Sequence, residues 1–184
     1  MDIREKMRSG ELYDANFNQE LIDDRSRCKA KCQQMNTLPY ECGRRRTEIL
    51  DSIIGVKLGN FIIEPPFWCD YGYNISLGDN FYSNHNLVIL DAAPVTFGNN
   101  VFVAPNCCFT TAGHPLDVEQ RNKGLEYARP ITVGNNVWIG AGVTVLPGVT
   151  IGDNVTIGAG SVVNRDIPEN CVAAGVPCRV IREL

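Results

Sequence analysis

From Ile75 onward the chain repeats in sixes. ISLGDN, FYSNHN and LVILDA are followed, after two extra residues, by VTFGNN, VFVAPN and CCFTTA. The pattern resumes at Ile131 as ITVGNN, VWIGAG, VTVLPG, VTIGDN, VTIGAG and SVVNRD. Such self-similarity dictates a solenoid, and it outranks any local reading of helix or strand. In ITVGNN the side chains of Ile131 and Val133 share one face of a short strand and Thr132 points the other way. Gly134 then permits close chain approach, and Asn135-Asn136 make a corner. Asp79-Asn80, Asn99-Asn100, Pro147-Gly148 and Asp153-Asn154 recur at the same place, all residues suited to turns or left-handed backbone. Three strand-and-corner units close one coil of 18 residues, and coils stack at the ~4.8 Å spacing of a sheet. A sandwich of antiparallel strands would place its turns every ~8–12 residues at irregular spacing. The expected fold is mainly β, a parallel β-helix of hexapeptide repeats with a small α-helical N-terminal segment and one extruded loop.

The residues before the repeat follow other rules. Sixteen of the 17 valines lie after residue 75, and eleven of the 17 lysines and arginines fall within residues 1–60. Gln19 to Met35 places Leu21, Cys28, Cys32 and Met35 near one stripe of a helix, with Asn18 as its N-cap. A second helix is predicted from about Glu41 to Ile54, stopping at Gly55, with Arg44, Arg45 and Arg46 on a solvated face. Residues 1–57 are therefore expected to form a helical segment, and residues 58–184 the β-helix with its loop at 113–130 and a C-terminal tail.

Composition narrows the function. With 17 basic against 21 acidic residues, the net charge is −4, which argues against a nucleic-acid face. No stretch approaches the ~18 consecutive apolar residues of a membrane span, and Met1 is followed by charged residues. A cytoplasmic protein is expected, and its eight cysteines are read as reduced thiols, mostly small buried apolar groups. There is no CxxC pair; Cys28/Cys32 and Cys107-Cys108 are the closest, and only two histidines are present, so no metal is expected.

Chemistry is expected where the repeat breaks. The largest break is GHPLDVEQRNKGLEYARP, Gly113 to Pro130, which carries one histidine and six charged residues into a charge-poor region; a long loop on a rigid scaffold is usually functional. His114, pinned between Gly113 and Pro115 at the coil exit, is the candidate base, because an imidazole takes and gives a proton near neutrality. Asn84 and His85 stand where other corners carry Gly or Asn, and Asp70 and Asp91 lie near the same end. Trp138 occupies the outward position that neighbouring hexads give to Thr132, Thr144 and Thr150, as a ring stacked on a ligand or on another chain would.

The hexads, NNVWIGAG, TAGHPLD, the ending AAGVPCRVIREL and the early MRSGELYDAN together resemble the maltose and galactoside O-acetyltransferases of the hexapeptide-repeat superfamily, over essentially the whole chain. The resemblance implies a left-handed β-helix, a homotrimer, and acetyl-CoA bound between neighbouring prisms. It assigns His114 as general base toward a sugar hydroxyl and Asn84 as the asparagine that places the acceptor or steadies the intermediate. The Ala141 N–H is implied as donor to the thioester carbonyl. Trp138, Ala159, Asn164, Arg165, Arg179 and Arg182 fall at coenzyme-contacting positions; Asp70, Glu126 and Asp14 fall at or beside acceptor-contacting ones. Three departures from the galactoside branch, Ala92 in place of a second acid, Asp70 in place of a serine and Glu126 in place of an apolar contact, point toward maltose, glucose or a related hydroxylated acceptor. Glu126 is open between orienting His114 and contacting the acceptor.

Three other functions fit parts of the pattern. A streptogramin-type xenobiotic acetyltransferase shares the fold and the loop histidine but lacks MRSGELYDAN. A zinc-dependent γ-type carbonic anhydrase needs three histidines and finds two. A non-catalytic or ice-binding scaffold would use the outward threonines, which Trp138 interrupts.

Overall fold

A computed structural model describes residues 2–184. Three parallel sheets form the faces of a left-handed prism. One carries the strands Val56–Lys57, Ile75–Leu77, Val95–Phe97, Ile131–Val133 and Thr150–Ile151 in spatial order, and a second begins at Phe67–Cys69 and ends at Val162–Val163. The third begins at Phe61–Ile63 and gains an antiparallel edge strand, Arg179–Glu183, paired with Cys171–Ala174. Registers follow the sixfold arithmetic. Residues stacked in neighbouring coils are 18 apart in regular coils, 20 where two residues are added, and 36 across the loop.

Two inward residues per strand fill the prism. Ile75, Leu77, Val95, Phe97, Val101, Val103, Ile131 and Val133 are all buried, and Phe81, Phe97 and Phe109 stack along the axis with ring centroids 5.0 Å apart. The corners are built from asparagine. Asn80, Asn100, Asn136, Asn154 and Asn170 all hold φ of 56 ± 1°, left-handed backbone that asparagine tolerates. Their amides form a ladder along the prism, each Nδ2 donating to the next Oδ1 at 2.8–3.1 Å.

The coil already begins at Val56, a full turn before the readable hexads. That turn escapes the pattern because it sends Ile62 and Trp68 outward, which erases the apolar-polar alternation. Helix α1 spans Ile3–Arg8, α2 Gln19–Asn36 and α3 Gly43–Ile53. On α2, Asn18 caps Leu21 N–H at 3.2 Å, and Leu21, Cys28, Cys32 and Met35 are its buried stripe, as the spacing predicts. Arg46 differs from the solvated arginine expected. It is buried against the coil, donates to the Pro39 and Tyr40 carbonyls and lies over the Tyr40 ring. The turn after Pro39 presents its carbonyls as acceptors, which residue type does not reveal. No helix among the described residues is long and apolar enough to cross a membrane.

Candidate active site

The excursion at 113–130 is a built hairpin. Ala112–Gly113 pairs antiparallel with Leu125–Ala128, a one-turn helix α4 (Val118–Asn122) caps its tip through Asp117, and Leu125–Ala128 also pairs with Tyr13–Asp14. The N-terminal segment is thus stitched to the loop by a three-stranded sheet. Gly113 lets the Tyr127 ring lie close over the backbone: a Cβ there would stand 2.6 Å from the end of that ring and push it aside.

His114 follows directly. Its Nδ1 lies 3.0 Å from the Leu125 carbonyl, and because a carbonyl only accepts, Nδ1 carries the proton and Nε2 holds the free lone pair. The side chain is half exposed, and Nε2 is 3.9 Å from Glu126 Oε2, beyond hydrogen-bond reach. Leu125, not Glu126, therefore fixes the ring. Glu126 is largely buried and takes a hydrogen bond from the Tyr13 hydroxyl through Oε1. The Tyr13 phenol is held above its ordinary range by burial and the Glu126 charge, so it stays a donor. Arg25 donates to the Tyr71 hydroxyl and to the Ala15 carbonyl, both at 2.6 Å.

The Glu126 carboxyl is itself pushed up by burial, with Asp70 adding to the shift against the Tyr13 hydrogen bond and the His114 charge. A folded-state value above the unfolded one means that its contribution is fully present below the unfolded range, ~4.3, and is lost as pH rises through the folded value. Glu126→Gln keeps the Tyr13 acceptor and removes the charge. Its unfolding midpoint should match the wild type at pH 4 and exceed it at pH 8, by about 2–4 °C for each kcal/mol relieved; equal midpoints at both pH values would show that burial does not act on this carboxyl.

Around this group, Asp70 pairs with Lys29 at 3.1 Å, and its N–H, like that of Tyr71, donates to the buried Asp91 Oδ1. Burial, with Asp70 nearby, pushes Asp91 up to about 7. Asp14 accepts from the Asn16 and Phe17 N–H groups and so closes its own turn. Asn84 donates its N–H to the Val103 carbonyl and accepts from His85 N–H through Oδ1, and among the described residues its Nδ2 has no acceptor, while His85 leans on the Pro65 carbonyl.

A second feature lies along another corner. Asn86 and Asn106 take left-handed backbone there, and in the next two coils glycines take the position, Gly142 (φ +69°) and Gly160 (φ +71°). A Cβ at either would meet nothing within 4 Å. The preceding residues, Ala141 and Ala159, are exposed, and among the described residues neither N–H has an acceptor. The Gly-Ala-Gly corners form a bare backbone shelf. Trp138 stands three residues before Ala141 with its indole 57% exposed, in register with outward Phe102 and Thr156. At the far end, Arg179 Nη1 donates to Asn164 Oδ1 at 3.1 Å, Arg165 is exposed nearby in sequence, and Arg182 lies opposite Val172 on the edge strand.

The chain thus gathers eight of the twelve sequence candidates into three groups: His114, Glu126 and Asp14 around Tyr13; Trp138, Ala141 and Ala159 on the shelf; Asn164 and Arg179 at the C-terminal end; no hydrogen bond or ion pair among the described residues ties Asp70, Asn84, Arg165 or Arg182 to any of these. Among the described residues no hydrogen bond or ion pair joins these groups within one chain. Two members escaped sequence reading. Tyr13 needed the pairing of residues 113 apart, and Leu125 acts through its carbonyl, which residue type cannot signal.

Comparison with known proteins places the chain in a family. Residues 6–57 match the maltose acetyltransferase hexapeptide capping motif, and residues 130–165 match six repeats of the bacterial transferase hexapeptide. Galactoside O-acetyltransferase of Escherichia coli K12 is 48% identical over 185 residues, covering all of this chain and 90% of that protein. The crystal structure of a maltose O-acetyltransferase from Clostridium difficile 630 superposes with a TM-score of 0.97 at 46% identity, covering 100% of this chain and 98% of the other. A galactoside acetyltransferase in complex with coenzyme A superposes with a TM-score of 0.95 at 46% identity, covering 100% and 91%. With its capping segment, its prism and its loop all shared end to end, the chain belongs to the maltose and galactoside O-acetyltransferase family of hexapeptide-repeat acetyltransferases.

Proposed function

We propose that this protein moves the acetyl group of acetyl-CoA directly to a hydroxyl of a small, maltose- or glucose-like sugar, with His114 as general base. The observation that carries the reading is the anchored imidazole: Nδ1 committed to the Leu125 carbonyl and Nε2 left as acceptor at a half-exposed loop base. The acceptor oxygen attacks the thioester carbonyl carbon while its proton passes to Nε2. The oxyanion of the tetrahedral intermediate takes a hydrogen bond from the Ala141 N–H. Collapse breaks the C–S bond, and the leaving sulfur receives the proton back from the imidazolium.

Asn84, with its free Nδ2, and the carboxylates of Asp70 and Glu126 are the proposed acceptor contacts; Asp14, whose carboxylate closes a turn, shapes that edge. The bare shelf at Ala141 and Ala159 suits a pantetheine arm lying against backbone, with Trp138 flanking it. Asn164, Arg165, Arg179 and Arg182 supply donors for the coenzyme phosphates at the end of a net-acidic coil. The in-register outward stripe Ile62, Tyr82, Phe102 and Trp138 supports a homotrimer in which this face meets a second copy.

An acceptor panel read by coenzyme A thiol release, with mass spectrometry of the product, tests the reading. Acetylated maltose or glucose is expected; release only with an antibiotic alcohol would move the protein to the xenobiotic class, and no release with any alcohol would overturn transfer altogether. Arg179→Ala and Arg182→Ala should each weaken coenzyme A binding roughly tenfold, the worth of one charge-assisted hydrogen bond. Calorimetric titration showing unchanged affinity would remove them from the site.

A further inference from the structure

Three thiols converge where α2 lies on the first coil. Cys28 and Cys32 sit one helical turn apart on its buried stripe, and Cys69 ends the strand Phe67–Cys69 beneath them. Cys69 Sγ lies 3.4 Å from Cys28 Sγ and 3.8 Å from Cys32 Sγ, and all three sulfurs are within 4.8 Å of one another. All are free thiols and all are buried. Two other buried cysteines settle on backbone: Cys107 donates to the Gly140 carbonyl at 3.2 Å and Cys171 to the Pro168 carbonyl at 3.1 Å. Only this trio is arranged sulfur to sulfur among the described residues.

We propose that Cys28, Cys32 and Cys69 form a binding site for a soft closed-shell cation, zinc(II) or copper(I), that clamps α2 to the β-helix. A metal–sulfur bond of ~2.3 Å sets the edge between two sulfur ligands at about 3.8 Å; the two edges to Cys69, 3.4 and 3.8 Å, lie within a few tenths of an ångström of it, and the Cys28–Cys32 edge, at most 4.8 Å, has to close by no more than about 1 Å. An all-sulfur donor set selects thiophilic ions and rejects magnesium or calcium, which need oxygen. Each sulfur–metal bond replaces an S–H bond, and the proton leaves to solvent. With zinc(II) the three thiolates leave the site one net negative charge, and the nearest cation in sequence, Lys29, is paired with Asp70 at 3.1 Å beside it. A cleft of about 190 Å³, lined by Asp24, Arg27, Cys28, Lys31, Tyr71 and Tyr73 among others, lies beside the trio with Cys28 in its wall. A disulfide would use two of the three sulfurs and leave the third without a role. The three sulfurs join α2 to the strand Phe67–Cys69, so the site serves the seating of the capping segment.

The full-length protein is purified under a phosphine reductant and loaded anaerobically with zinc(II) in one arm and copper(I) in the other. It is then desalted, and metal is counted per chain. About one equivalent retained in either arm is expected, together with a higher unfolding midpoint; Cys42→Ser should keep both, and Cys32→Ser and Cys69→Ser should lose both. Since those variants risk misfolding, cobalt(II) loading of the wild type supplies a second reading. Thiolate-to-cobalt charge-transfer absorption that persists in Cys42→Ser is expected. The proposal fails if the reduced wild type retains no metal above the Cys32→Ser level and shows no such band. It also fails if the reduced protein takes up no metal while air oxidation joins Cys28 to Cys69.

Discussion

Replacing His114 by alanine should lower kcat/KM for acetyl transfer by ~10²–10⁴-fold, the usual worth of a positioned general base. Coenzyme A affinity and the unfolding midpoint should stay at their wild-type values. The separation follows from where the ring sits. The side chain is half exposed and its one hydrogen bond goes to a carbonyl at the hairpin base, so little packing is lost with it. Chemistry is another matter, because Nε2 is the one ring atom left free to accept a proton. His114→Asn sharpens the test, since its amide can still donate to the Leu125 carbonyl but offers no basic nitrogen; it should be as inactive as the alanine variant. Activity within threefold of wild type in either variant would end the direct-transfer mechanism built on this imidazole. A large loss accompanied by a fallen midpoint would instead make His114 a structural pin of the hairpin.

The architecture could be read from the sequence because its instruction is local and periodic. ITVGNN states a strand and a corner within six residues, and the registers of Thr132 on Thr150 and Trp138 on Thr156 follow by counting. The outward setting of Trp138 was legible for the same reason. What the sequence hid are contacts between distant segments and contacts made by backbone. Glu126 reads as an isolated acid until Tyr13, 113 residues earlier, is laid beside it in an antiparallel pair. The hairpin at 113–130 looked like a plain excluded loop because its strands pair only with each other and with Tyr13–Asp14, outside any repeat. Cys69 shows the same limit from the other direction. Cys28 and Cys32 announce themselves at helical spacing, while their third neighbour lies in the coil turn that Ile62 and Trp68 disguise.

The asparagine corners make the largest stability prediction. Asn136→Val should destabilise the fold by about 2–4 kcal/mol, read from urea unfolding at fixed chain concentration. Two effects combine. Asn136 holds φ at +55°, where a β-branched side chain costs ~1–2 kcal/mol. Its amide also links Asn100 above to Asn154 below at 3.1 Å each, and exposed bonds of this kind contribute about 0.5–1 kcal/mol apiece. Asn136→Gly divides the sum, because glycine takes the same φ without strain and loses only the ladder bonds; its cost should be about half that of valine. Glycine already takes this conformation in the prism, since Gly142 and Gly160 stand at positive φ on a neighbouring corner with open space where a side chain would be. If glycine and valine proved equally costly, the ladder rather than the backbone would explain the asparagines. In that case the shelf beside Ala141 would have given up stabilising bonds for its bareness, and restoring asparagine at Gly142 should strengthen the fold while obstructing the coenzyme.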